Sequence, residues 1–117
     1  MHIQRVIVMV SDMERSIAFY RDTLQLPLTY ESPHWSEFTT GHCTLALHIA
    51  AFPSEAMPPK RAGSLVICLS VSSLENYCAR LQARGISVER PSIKKGMDVL
   101  SASVVDPDGV TIQFEQQ

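Results

Sequence analysis

A shift of 61 residues lays one part of this chain on another, and this internal repeat constrains the fold more than any other feature. Val6-Ile7-Val8-Met9-Val10 is an apolar run of strand length, and Leu65-Val66-Ile67-Cys68-Leu69, continuing to Val71, is its counterpart. Ser11-Asp12-Met13-Glu14 follows the first run; Ser72-Ser73-Leu74-Glu75 follows the second. Each fits Ser-x-x-Glu, a capping box in which hydroxyl and carboxylate satisfy backbone N–H groups that a helix start leaves unpaired. The spacing therefore predicts helices starting at Ser11 and Ser72. Met13, Ile17, Tyr20 and Leu24 form an apolar stripe at helical spacing, and the same shift carries them onto Leu74, Cys78, Leu81 and Gly85. Gly85 suits the left-handed residue that closes a helix.

After each helix the apolar pattern changes to period two. Strands are predicted over 28–32, 35–40 and 44–49, then over 87–90, 100–105 and 110–115. Turn residues separate them: Ser32-Pro33, Gly41-His42, Lys94-Lys95-Gly96 and Asp106-Pro107-Asp108-Gly109. The two aspartates of the last turn invite a metal reading, but Pro with a fixed φ and Gly tolerant of φ > 0 favour a hairpin turn. Pro53, Pro58 and Pro59 mark an extended linker. The chain is thus one domain of 117 residues, with module 1 over 1–50, a linker over 51–62 and module 2 over 63–117.

Two βαβββ modules imply an α+β fold, a curved mixed sheet with a concave cleft and helices on the outer face. Strand alternation sorts the residues. Val6, Val8 and Val10, with Leu45, Leu47 and Ile49, face a helix, as do Leu65, Ile67, Leu69 and Val71 with Val110, Ile112 and Phe114. The opposite face mixes Arg5, Met9, His48, Cys68, Ser70, Gln113 and Glu115, a composition suited to a small-molecule site.

Three segments carry a family resemblance: Val10-Ser11-Asp12-Met13-Glu14-Arg15-Ser16-Ile17-Ala18-Phe19-Tyr20-Arg21-Asp22, Gly41 to His48, and Asp106-Pro107-Asp108-Gly109-Val110-Thr111-Ile112-Gln113-Phe114. Together they resemble the vicinal oxygen chelate superfamily, which includes glyoxalase I, bleomycin-resistance proteins, fosfomycin-modifying thiol transferases and extradiol dioxygenases. The resemblance implies paired βαβββ modules around a cleft, within a homodimer. It also implies that catalytic members hold a divalent ion on the first and last strand of each module. Carried over, the first-strand positions are Arg5 and Val66. The last-strand positions are His48 and Gln113, matched by laying Leu47-His48 on Ile112-Gln113. Valine donates nothing to a metal, and arginine puts a permanent positive charge where the ion would sit. No metal and no cofactor are therefore expected.

The expected function is binding of a small organic molecule in the cleft by a glyoxalase/bleomycin-resistance-like protein. Arg5, Met9, Phe38, His48, Ser103 and Gln113 are the expected ligand contacts, with Trp35 beside them. Arg5 either grips a ligand carboxylate or phosphate or pairs internally with Glu115 or Glu37. His48 is either a satisfied core histidine or a ligand contact and candidate catalytic residue. Trp35 and Phe38 are either packing residues or walls for a planar ligand. Ser101 and Ser103 are either filler or ligand contacts. The alternative function is a glyoxalase-type lyase or isomerase with atypical divalent ligation by His48 and Gln113 or Glu115. A third reading makes the cleft a dimerisation surface alone.

Charge and composition narrow the partners. Ten Lys and Arg balance twelve Asp and Glu, a net charge of -2, which gives no electrostatic footprint for nucleic acid or an anionic membrane. No apolar run approaches the roughly 20 residues that span a bilayer. Cys43, Cys68 and Cys78 are odd in number and lie in apolar patterns, as reduced core thiols do. With no signal-peptide pattern among the first residues, a cytoplasmic location is expected.

Overall fold

The computed structural model describes residues 1–50, 65–90 and 101–116. The expected linker over 51–62, the Lys94-Lys95-Gly96 turn and Leu100 lie outside the described residues. The chain divides into two compact units, Met1–Lys60 and Arg61–Gln117. The first holds β1 (Arg5–Val10), α1 (Met13–Ile17), β2 (Leu28–Tyr30), β3 (Trp35–Thr40) and β4 (Cys43–Ile49). The second holds β5 (Val66–Val71), α2 (Leu74–Ala83), β6 (Ser101–Val105) and β7 (Thr111–Gln116). The class is α+β, as the repeat predicts, and the described strands form two small mixed sheets. Among the described residues, no helix is long and apolar enough to cross a membrane.

Both helices begin one residue later than the Ser-x-x-Glu pattern predicts. The caps are Asp12 and Ser73, whose backbones are extended. Asp12 Oδ1 accepts from the Arg15 N–H at 3.1 Å, and Ser73 Oγ accepts from the Asn76 N–H at 3.3 Å. Glu14 and Glu75 then lie in the first helical turn, where a negative charge favours the positive end of the helix dipole. In the second unit Gln116 adds a third group, its Oε1 accepting from the Leu74 N–H at 3.0 Å.

The two helices end differently. Beyond α1 the chain continues as a π-helical segment, Ala18–Thr23, closed by a Leu24 N–H donating to the Phe19 carbonyl at 2.9 Å. A π turn accommodates one extra residue. Leu24 is therefore still helical, and Gln25, at φ 65°, takes the left-handed position that Gly85, at φ 80°, takes after α2. The repeat shift is 61 residues before the helices and 60 after them, which carries Gln25 onto Gly85. The predicted stripe is buried: Met13, Ile17, Tyr20 and Leu24 all lie in the core.

Strand order in the first sheet is β1-β4-β3-β2, and in the second β5-β7-β6. In each, the first strand runs parallel to the last strand of its unit. The strand predicted over 87–90 is reduced to a single bridge from Glu89 to Ser103. Val8, Val10, Leu45, Leu47 and Phe38 pack beneath the first helix, with the Phe38 ring 5.8 Å from that of Tyr20. Ile112, Phe114, Ala102 and Val104 do the same beneath Leu74, Cys78 and Leu81. The Asp106-Pro107-Asp108-Gly109 segment is a turn, as expected. Asp106 Oδ1 accepts from the Asp108 and Val110 N–H groups at 2.9 and 2.8 Å, and Gly109 has φ 95°.

Candidate functional site

Strand register decides which side chains share a face. In the first unit Arg5 pairs with Thr44, Ile7 with Ala46 and Met9 with His48. Across the next ladder Trp35 pairs with His48 and Glu37 with Ala46. Cross-strand partners project from the same side of a sheet. Arg5, Met9, Trp35, Glu37 and His48 therefore stand together on the face turned away from α1.

These groups touch. The Arg5 guanidinium carbon lies over the Trp35 ring, 5.7 Å from its centroid, within the range of a cation–π contact. The His48 ring meets the same indole edge-on at 5.7 Å. Trp35 Nε1–H donates to Glu37 Oε2 at 3.0 Å. The internal ion pair from Arg5 to Glu37 is not formed: among the described residues of this unit Arg5 has no carboxylate within salt-bridge distance.

His48 is half-buried, and its Nδ1 is fully covered with no hydrogen-bond partner. Nε2 likewise has no hydrogen-bond partner among the described residues. Among the described residues His48 is therefore not a satisfied core histidine.

Phe38 requires correction as an expected ligand contact. It is 0% exposed, on the helix side of β3, against Tyr20. Trp35 and Phe38 are three residues apart on one strand, and an odd spacing puts them on opposite faces. Trp35 faces the site and Phe38 the core. The sequence interval itself carried this information once the segment was known to be a strand.

In the second unit Cys68 pairs with Gln113 and Ser70 with Glu115, while β6 brings Ser103 to Gln113 and Ser101 to Glu115. These six residues form the open face of that sheet. Gln113 Nε2 donates to Glu115 Oε1 at 3.0 Å. Cys68 is exposed rather than a core thiol, whereas Cys78 is buried. Local shielding from water, and then the neighbouring Glu115 carboxylate, push the Cys68 thiol up from its ordinary range. Less thiolate is then present at neutral pH, which makes the thiol a poor nucleophile. Replacing Glu115 with Gln removes one of the two causes. Peptide mapping after iodoacetamide treatment at neutral pH should show faster Cys68 alkylation in Glu115→Gln than in wild type. An unchanged rate would dismiss the coupling.

Register also revises how the modules correspond. Arg5 opposite Thr44 matches Val66 opposite Thr111. A shift of 67 residues, not 65, therefore relates β4 to β7 and carries His48 onto Glu115. Gln113 corresponds to Ala46. Apolar alternation does not detect this slip, because moving two residues keeps every side chain on its own face.

A divalent ion fits poorly under either matching. Arg5 and Val66 occupy the first-strand positions, so at most two donors remain from four. Among the described residues, no three His, Cys, Asp or Glu side chains gather as a metal-holding group. The donor chemistry supports no step through a metal.

Comparison with known proteins agrees with this architecture. The chain is similar to the antibiotic-binding protein TnmS3 from Streptomyces sp. CB03234, at 32% identity over 99% of this chain and 95% of that one, with a TM-score of 0.78. A glyoxalase/bleomycin resistance protein from the same Streptomyces strain matches at 31% identity, over 98% and 100% of the two chains, with a TM-score of 0.71. Lactoylglutathione lyase from Agrobacterium tumefaciens, at 20% identity over 98% and 92% of the chains and a TM-score of 0.77, shares the fold. No curated protein matches significantly in sequence. The model of the Glyoxalase/Bleomycin resistance protein/Dioxygenase superfamily matches residues 2–114. With that match spanning almost the whole repeat, the chain belongs to this superfamily.

Proposed function

We propose that the chain binds a small organic molecule with a planar aromatic part, without a metal, on the open face of the first unit's sheet. The observation that carries this reading is Trp35 on an open face, flanked by the Arg5 guanidinium and by a His48 ring whose nitrogens have no partner among the described residues. An indole offers stacking area, and the two nitrogen groups offer directional hydrogen bonds. Met9, cross-strand from His48, adds an adaptable apolar contact. In the second unit, Ser103 and Gln113 are proposed as ligand contacts of that unit's own open face. The antibiotic-binding relative at 32% identity supports a binding role. A metal-dependent lyase is disfavoured because Arg5 and Val66 supply no donors.

Trp35 is the single tryptophan of the chain, so emission excited at the red edge, where tyrosine does not absorb, reports on this face. Titration with a tetracycline, an anthracycline and a fluoroquinolone, corrected for inner-filter effects, should show saturable quenching by at least one. A rise in melting temperature should accompany it, since a ligand that binds only the folded state stabilises that state. Failure of all three to quench or stabilise would count decisively against the reading.

We also propose a homodimer, as in the family, and a cytoplasmic location, where three free cysteines are kept reduced. Light scattering after size exclusion should return twice the mass of one chain. A monomer mass at micromolar concentration would reject the dimer.

A further inference from the structure

On the first unit's open face the Arg5 guanidinium carbon lies over the Trp35 ring at 5.7 Å, and among the described residues of that unit Arg5 has no carboxylate within salt-bridge distance. The His48 ring meets the same indole edge-on, and neither of its nitrogens has a hydrogen-bond partner among the described residues. Glu37 Oε2 accepts from Trp35 Nε1–H at 3.0 Å. That bond also fixes the indole plane, with the guanidinium against it. A ligand arriving here meets an oriented aromatic surface, a permanent positive charge and an imidazole edge.

Resting on the binding role proposed above, we infer that the ligand is an aromatic acid: a planar ring system carrying a carboxylate or ionised phenol at its edge. The ring lies along the Trp35 side of the face. The anionic oxygen accepts from Arg5, where a carboxylate can use two parallel N–H groups, and from the His48 imidazole N–H. A neutral isostere keeps the ring contact and loses the charge-assisted bonds. An ammonium ligand brings a second positive charge to Arg5.

Nitrogen-15 NMR on the intact chain tests this, because the single tryptophan gives one indole N–H resonance. The probes are 2-naphthoate, the neutral 2-naphthamide and the cationic 2-naphthylmethylammonium, each to millimolar concentration. The naphthoate should move the Trp35 resonance and bind about tenfold tighter than the amide or more, as expected for hydrogen bonds to a charged group. The ammonium should bind most weakly. In Arg5→Met the naphthoate advantage should vanish, and Arg5→Lys should keep part of it. Arg5 is exposed, so neither variant should alter the rest of the spectrum.

Equal binding of the three probes, or preference for the ammonium, would overturn the aromatic-acid assignment and leave the binding face intact. A naphthoate advantage that survives in Arg5→Met would overturn it too. If no probe moves the Trp35 resonance, the inference fails. The antibiotic titration then decides separately whether the binding role fails with it.

Discussion

Phe38→Ala should lower the unfolding free energy by about 3–5 kcal/mol, the range for removing a large aromatic side chain from a core that does not fully collapse around the cavity. Phe38 is fully buried between β3 and the first helix, where its ring meets that of Tyr20. Truncation there removes contacts with Tyr20 and with the apolar face that Val8, Val10, Leu45 and Leu47 complete. The loss is a large fraction of the stability of a chain this size. Urea denaturation followed by circular dichroism measures it. Phe38→Leu keeps most of the volume and should lose much less, which provides a folded comparison if the alanine variant does not fold. A loss under about 1 kcal/mol for Phe38→Ala would show that Phe38 is not a core residue.

Trp35→Ala should do the reverse, with a small effect on stability and a large one on binding. Trp35 is only half-buried and lies on the open face, so its removal leaves no closed cavity. It is, however, the group that Arg5, Glu37 and His48 all contact. Truncating a central aromatic anchor costs about 2 kcal/mol or more, which is roughly thirtyfold in affinity. Calorimetric titration with the antibiotic that quenches the wild-type protein reads this without the lost fluorophore. Trp35→Phe retains a stacking ring but no N–H for Glu37, and should fall between the two. The reading would be wrong if Trp35→Ala bound normally. It would also be wrong if that variant melted as early as Phe38→Ala, because Trp35 would then be a packing residue.

The contrast between Trp35 and Phe38 shows how much of the site could be read in advance. Both lie on one short segment, and from the residue types each is either a packing residue or a wall for a planar ligand. The strand and its boundaries, Trp35–Thr40, were legible from the period-two pattern. Alternation alone then separates the pair. Arg5, Met9 and His48 were legible for the same reason, since their apolar neighbours Val6, Val8 and Leu47 marked the buried side. The helix caps were misplaced by one residue because Ser11-Asp12 and Ser72-Ser73 each offer two capping side chains in succession. The π turn left no composition signal. It appears only as Gln25 taking a position that Gly85 takes in the second repeat.

The repeat, the apolar stripes and the turn residues determined the α+β class, the order of elements and the face on which each strand residue stands. They could do so because burial imposes a period on the chain, and a period is a local property that neighbouring residues display. Pairing between strands is not local. It decided that His48 answers to Glu115 and Gln113 to Ala46, and it gathered Arg5, Glu37 and His48 around Trp35. A two-residue slip preserves every in-and-out alternation, so only the hydrogen-bonded ladders of the folded sheet distinguish one register from the other.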